Sequence, residues 1–426
     1  MAVRDLAWGT VPHSIVHREI VADDGRFRVR AELLHRHAQV AVSSEIEIHG
    51  HENGSIEYVM RARALESFEL AKIGLNIHHP IAGLVGRRWR GISSHGEWSG
   101  VIPKPIHPQI HLRTEGWDLP IFPPVHELWL DHAVGVLRFD FSGRAYEMED
   151  HRNWSDQSLK TYSMPAETGY QHQIAKNDEL AEHLRVSFSP HAAHSRRRGR
   201  RVGPPTVSVG RIRVGTPLGR RMPTIGLIQA GPLRESAAHL IEFIHPAHLR
   251  LEVDLAAPDW GDHLAAELDA CARIGAAAEL ALFLVRDPRV PLTHLGEIVR
   301  ERGAPVSRVL AFVRDEDATP PSWTDLVRES LTVEASIGGG AHMNFAELNR
   351  AWPDMRGFDV VAYPLSPQVH ATSDLSLIEN LEAQGEQVWT ARRRVGRRAL
   401  AVGPVTVEPR WRSDPWPRMP VRSAGD

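Results

Sequence analysis

The residues best suited to chemistry lie between Thr332 and Glu379, where two short β-rich runs each open into a polar loop. After TVEASI come three glycines and then His342, Asn344, Glu347, Asn349 and Arg350. After FDVVAYPL come Gln368, His370, Thr372, Ser373 and Asp374, with the helical pattern LSLIENLEAQG following directly. A carboxylate, an amide, a guanidinium and an imidazole delivered by neighbouring strand ends suit a polyhydroxylated or carbonyl-bearing small molecule. Asp254 closes an earlier strand, Arg286 and Arg314 follow two more, and Thr406, Glu408 and Arg410 end the last. Carboxylates at several strand ends fit acid/base work on a sugar-like ring, where one group gives a proton while another takes one. For each residue alone, a salt-bridged or capping role is the competing reading.

Other chemistries find little support. No G-x-S-x-G elbow follows a strand and H-E-x-x-H is absent, which argues against serine hydrolysis and that zinc motif. His78 and His79 are adjacent, which is no specific ligand spacing, so neither a metal nor a cofactor is expected. GGGAH lacks the lysine of a phosphate loop and the spacing of a dinucleotide fingerprint; it reads as a turn or a close backbone approach. The single cysteine, Cys271, falls on the apolar face of a predicted helix and reads as a core thiol. A net charge of -3 over 426 residues gives no field for nucleic acid or membrane. The first residues hold no apolar leader and no run approaches a spanning helix, so a cytoplasmic setting is expected. Twelve tryptophans and 25 histidines lean towards a carbohydrate ligand without deciding it.

These residues need elements to hold them. From 1 to 189 the pattern alternates apolar and polar residues in short runs, broken by turn pairs such as Asp24-Gly25 and Asn53-Gly54. GSIEYVMRARAL and FELAKIGLNIHH read as consecutive antiparallel strands, and 83–124 as a loop-rich insertion. An antiparallel β-sandwich-like domain is expected there. Within it Tyr146 to Ser163 carries too many charges for a core strand and too many aromatics for a disordered loop; an interdomain ion-paired plug and a lip over the barrel mouth are both open readings. Residues 190–222, with the run Arg196, Arg197, Arg198, Arg200 and Arg201, read as a solvated linker. From 223 to 411 seven strand patterns alternate with helical ones, the signature of a (β/α)8-type barrel, here one unit short before a tail at 412–426. The fold class is therefore all-β followed by α/β, with the barrel incomplete at its carboxyl end. A homo-oligomer or a partner chain could supply the eighth unit.

The runs GLNIHHPIAG, EMEDHRNWSDQSLKTYS, NFAELNR and SPQVHATSDLSLIENLEAQ resemble the D-apionate lactonase family of sugar-acid catabolism, and the resemblance covers most of the chain. It implies an amino-terminal β domain packed on a TIM-like barrel related in architecture to glycoside hydrolases, and hydrolysis of D-apionolactone to D-apionate. By position, the family's charged stretch lands on Glu149, Asp150, Arg152, Asn153, Asp156 and Lys160. Its barrel motifs land on Glu347, Asn349, Arg350, Gln368 and His370. The family runs on through an eighth barrel unit and a further β segment, beyond the last residue here.

Three readings follow. In the first, water attacks a lactone carbonyl, with Glu347 or else His370 as general base, and Arg350 and Asn349 on the oxyanion. Gln368, Asp254 and the 149–160 cluster then read sugar hydroxyls. In the second, a glycoside hydrolase pairs Glu347 with Asp254 or Glu408. In the third, the chain is a sugar-binding subunit that needs a partner.

Overall fold

The computed structural model describes residues 1–108, 121–169, 171–191, 214–216, 219, 222–229, 233, 235–370 and 373–409. The arginine run at 196–201 and the tail at 412–426 lie outside them. Two compact units emerge: Met1–Arg200 with Ser373–Glu386, and Arg201–Thr372 with Gln387–Asp426. Among the described residues no helix is long and apolar enough to cross a membrane.

The first unit is built on a nine-stranded antiparallel sheet. In spatial order its strands are Gly96–Val101, Arg88–Ser93, Glu127–His132, Gly135–Ser142, Glu179–Pro190, Ile56–Ala64, Val40–Gly50, Arg26–His37 and His13–Asp23. Period-two patterning sets its faces: along Val40–Gly50, Val42, Ser44 and Ile46 are buried while Ser43 is exposed and Glu45 and Glu47 are only partly covered. The predicted hairpin turns are present. Gly25 and Gly54 both adopt φ of +79°, a left-handed conformation that glycine takes at little cost.

FELAKIGLNIHH does not extend this sheet. It breaks into Phe68–Leu70, Lys72–Gly74 and Asn76–Pro80, paired respectively with His172–Ile174, Ala2–Arg4 and Ser158–Ser163. The reason is burial on both faces: Leu70, Ala71, Lys72, Ile73 and Leu75 are all buried in succession, so the segment threads the core instead of covering it. The span read as a loop-rich insertion also holds an edge hairpin, Arg88–Ser93 with Gly96–Val101.

The second unit is a nearly closed parallel barrel of seven strands in chain order. They run Leu227–Ile228, His248–Asp254, Ala277–Leu284, Val306–Val313, Ser336–Gly340, Val360–Leu365 and Ala399–Val405. Helices intervene, among them Trp260–Ile274 and Arg289–Arg302, each closed by a left-handed glycine, Gly275 and Gly303. Leu264, Leu268 and Cys271 of the first of these helices pack under the outward residues Leu249, Leu251 and Val253, so Cys271 is a core thiol as expected. Facing inward are Ala281, Phe283, Leu310, Phe312, Val360, Ala362 and Ala401. Below them lies a charged layer instead of an apolar one: Glu279 receives Arg250 at 3.0 Å and Arg308 at 2.8 Å from strands on either side.

The glycines read as a loop after TVEASI instead form the fifth strand itself, Ser336–Gly340. A Cβ on Gly338 would strike the Val360 carbonyl oxygen, and one on Gly340 the Ala362 carbonyl oxygen. Thr319 bonds back to this strand, its hydroxyl receiving the Gly340 amide at 3.0 Å and donating to the Ala311 carbonyl at 2.5 Å. The triplet thus lets neighbouring backbone close in, not a ligand. Gly338→Ala is expected to destabilise the barrel by about 2 kcal/mol, as forced backbone shifts do. A denaturation midpoint equal to that of the parent would show that the sixth strand yields freely.

Candidate active site

Parallel strands present their carboxyl ends, and the loops after them, as one face of the barrel. Asp254, the last residue of the second strand, forms an ion pair with Arg314 of the loop after the fourth and accepts the Ala256 amide at 3.0 Å. His342, just past the fifth strand, stands edge-on to Phe283 at 5.8 Å and beside Phe312. Burial first, and then the Arg314 charge, depress its pKa to about 4 against the opposing pull of Glu252. It is a neutral imidazole at pH 7.

Glu347 lies on the six-residue helix Phe345–Arg350, which starts directly after this loop. Only 2% of it is exposed, and burial raises its carboxyl to about 7, even though Arg350, its own amide and the Asn344 side chain pull it down. The Asp317 charge adds to the rise. Among the described residues Oε2 has no hydrogen-bond partner. Arg350 approaches Oε1 at 3.9 Å while Asp317 grips its guanidinium at 2.9 and 3.1 Å. Asn349 is buried and its Oδ1 accepts the Trp352 indole at 3.2 Å, which fixes the orientation of its amide.

The expected residues therefore separate into neighbourhoods. Glu347 and Arg350 meet, with Asn349 on the same turn of helix; Asp254 belongs to the ion pair with Arg314. Gln368 is half-buried, with its backbone N–H 3.5 Å from Ser366 Oγ, whereas His370 and Glu408 are exposed on their loops. Asp317 was not anticipated. Its signal was present, since RDEDAT crowds four charges directly after the fourth strand, but the sequence did not say which one turns towards Arg350.

In the first unit the hairpin Tyr146–Asp150 and Ser158–Ser163 encloses the turn His151–Trp154, and its charges are internally matched. Arg152, fully buried, binds Asp150 at 2.7 and 2.9 Å, Glu386 at 2.6 Å, and the carbonyls of Pro103 and Lys104. The Asn153 amide donates to the carbonyls of His107 and Asp150. These contacts make an ion-paired and hydrogen-bonded cluster within the first unit. A second group on the same hairpin joins Glu149 to Lys160 at 2.8 Å and to the Trp154 indole at 3.1 Å, with His151 between Glu149 and Asp156 at 3.6 and 3.8 Å. Burial pushes the Glu149 carboxyl up, but Lys160 and then His151 outweigh it and hold the group well below the usual carboxylate range.

Both units match one family. Residues 1–191 match the D-apionate lactonase N-terminal domain, and residues 228–421 match the D-apionate lactonase TIM barrel domain. The chain belongs to the D-apionate lactonase family. The D-apionate lactonase of Brucella anthropi is 25% identical over 423 residues, covering 95% of this chain and 67% of that protein. The chain thus spans about two thirds of the length of that D-apionate lactonase. Solved structures are more distant. An α-galactosidase of Geobacillus stearothermophilus is 9% identical with a TM-score of 0.30, covering 92% of this chain and 75% of its own. An aldose 1-epimerase described for Klebsiella pneumoniae is 8% identical with a TM-score of 0.27, covering 42% and 54%. Likeness at that level assigns neither fold nor chemistry, so the reading of the site rests on its own geometry and on the D-apionate lactonase family.

Proposed function

We propose that this chain is a hydrolase that opens a sugar-derived lactone, of the D-apionolactone to D-apionate type. Membership of the D-apionate lactonase family and the name of the Brucella anthropi relative support the substrate class. One observation carries the chemistry: a buried carboxyl, Glu347, with a pKa of about 7 and one unengaged oxygen, beside a clamped guanidinium. A general base works best when its pKa lies near the operating pH. Water attacks the lactone carbonyl and Glu347 takes its proton. The carbonyl π pair moves onto oxygen, where Arg350 and the Asn349 amide donate to the developing charge. On collapse the ring C–O bond breaks, and the leaving alkoxide takes the proton back from Glu347. Water is consumed, and the hydroxy acid so formed gives its remaining carboxyl proton to solvent and leaves as the carboxylate. Gln368 and Asp254 are assigned to sugar hydroxyls, and His370 is the second candidate for the base.

Acid release from a panel of aldonolactones including D-apionolactone, with and without EDTA, tests this. Activity is expected to rise with pH through a midpoint near the Glu347 value of about 7. Glu347→Gln is expected to lose roughly 10²–10⁴-fold, the usual contribution of a general base, whereas His370→Asn keeps most of the rate. Undiminished acid release by Glu347→Gln would sink the assignment. Cleavage of aryl glycosides with no lactone opening would replace the reaction by a glycosidic one. Asp317→Asn removes a repelling charge and frees Arg350 towards Glu347, so the acid limb of the profile is expected to move to lower pH. An unmoved limb would mean that Asp317 does not act on the base.

A further inference from the structure

The nine-stranded sheet of the first unit ends in the strand His13–Asp23, which pairs with Arg26–His37 and, among the described residues, meets no strand on its outer side. The N–H and C=O groups along such an edge are a template for another strand, and natural edges are blunted by shortness, lysine, proline or a bulge. This edge is eleven residues long and contains neither lysine nor proline. Its one register shift lies between Ile15 and His17, so 17–23 runs regular. The opposite edge, Gly96–Val101, has six residues, two of them glycine, and is the weaker template.

The regular stretch also carries apolar surface. Ile20 stands opposite Val29, and Ala22 opposite Phe27. Directly opposed residues share a face, so these four form one strip at the sheet margin, with Ile20 61% exposed and Phe27 exposed beside it. Val21 is exposed on the other face. Continuation of the sheet past this edge would carry the strip onward and cover Ile20 from the side.

Charge decides which strand fits. When two copies pair antiparallel about a two-fold axis normal to the sheet, each residue keeps its face, so the register is centred on a residue. Centred on Arg18 or on Glu19, that residue meets its own charge in the second copy. Centred on Val21, Glu19 meets Asp23 of the second copy, twice over. Centred on Ile20, the midpoint of 17–23, no like charges are opposed. His17 then meets Asp23 at both ends, Ile20 meets Ile20, Arg18 meets Ala22 and Glu19 meets Val21. Opposite or apolar pairs stabilise a ladder and like charges oppose it, so the edge complements itself in this register.

We propose that two copies of this chain associate through residues 17–23, antiparallel and with Ile20 against Ile20, so that their two sheets become one. A closed two-fold contact of this kind uses up the edge in both copies and stops at a dimer.

The test is sedimentation velocity of the full chain across a micromolar concentration range, joined to disulfide trapping. The parent is expected to form a dimer, and Ile20→Lys, which sets two ammonium groups against each other at the two-fold axis, is expected to lose it. Because Ile20 is exposed, that variant should melt with the parent. Opposed Cα atoms of an antiparallel pair lie about 4.5–5.5 Å apart, within the span of a disulfide. Ile20→Cys is therefore expected to cross-link two copies on mild oxidation, while the native Cys271 stays buried. Ile15→Cys is the control: Ile15 is 55% exposed, but in this register the two copies of it lie roughly 30 Å apart. A parent that stays monomeric, a dimer that survives Ile20→Lys, or equal cross-linking at both cysteine positions would each overturn the proposal. The readout is assembly, so the outcome is independent of whether the chain opens lactones.

Discussion

Glu347→Gln is expected to raise thermal stability at pH 8 while abolishing lactone opening. The folded state holds the Glu347 proton up to about pH 7, whereas an unfolded glutamate releases it near 4.5. Because the folded pKa is raised, the contribution of this group to stability is fully present below 4.5 and declines as pH rises to about 7. Above that it stays constant. The span corresponds to roughly 3 kcal/mol at 1.36 kcal/mol per pKa unit. Glutamine keeps the shape without the charge, so the variant should gain up to that amount at pH 8 and nothing at pH 4. For a unit of this size that is about 5 °C or more in melting temperature. Calorimetric scans at the two pH values measure it. A glutamine variant less stable than the parent at pH 8 would mean that the carboxylate is well paired, and a well-paired carboxylate is a poor base.

Glu279→Ala should be the most damaging single change in the barrel. Glu279, 4% exposed, takes Arg250 on one oxygen and Arg308 on the other, with His248 at 3.5 Å. Its removal leaves Arg250, itself 5% exposed, with Glu252 at 3.7 Å as its one ion-pair partner among the described residues. Breaking a buried pair from one side typically costs about 3–5 kcal/mol, because an uncompensated charge stays behind. Replacing both partners is a different matter. Arg250→Met with Glu279→Leu is expected to recover most of the loss, since Arg308 is partly exposed and can turn its head to water. Denaturation midpoints of the single and double variants decide it. A mild single variant would show that water already reaches this layer.

Much of this protein is legible in its sequence, because periodicity is a local property. Alternating runs with Asp24-Gly25 and Asn53-Gly54 announced antiparallel hairpins, and seven β patterns spaced by helical ones announced parallel strands in chain order. The positions of Glu347 and Asp254 after strands were equally readable, since a strand end is defined by neighbours in the chain. What the tertiary structure alone decided is who faces whom. GGG read as a loop because glycine breaks local patterns, but the carbonyls of Val360 and Ala362 across the sheet make those glycines a strand. FELAKIGLNIHH read as one strand run, yet burial on both faces divided it among three sheets. Asp317 and Arg350 are 33 residues apart, and no spacing rule links them. A base at about 7 likewise comes from the packing around Glu347, not from the residue itself. Residue order fixes the faces of strands and helices; pairing between distant segments fixes the electrostatics, and with it the chemistry.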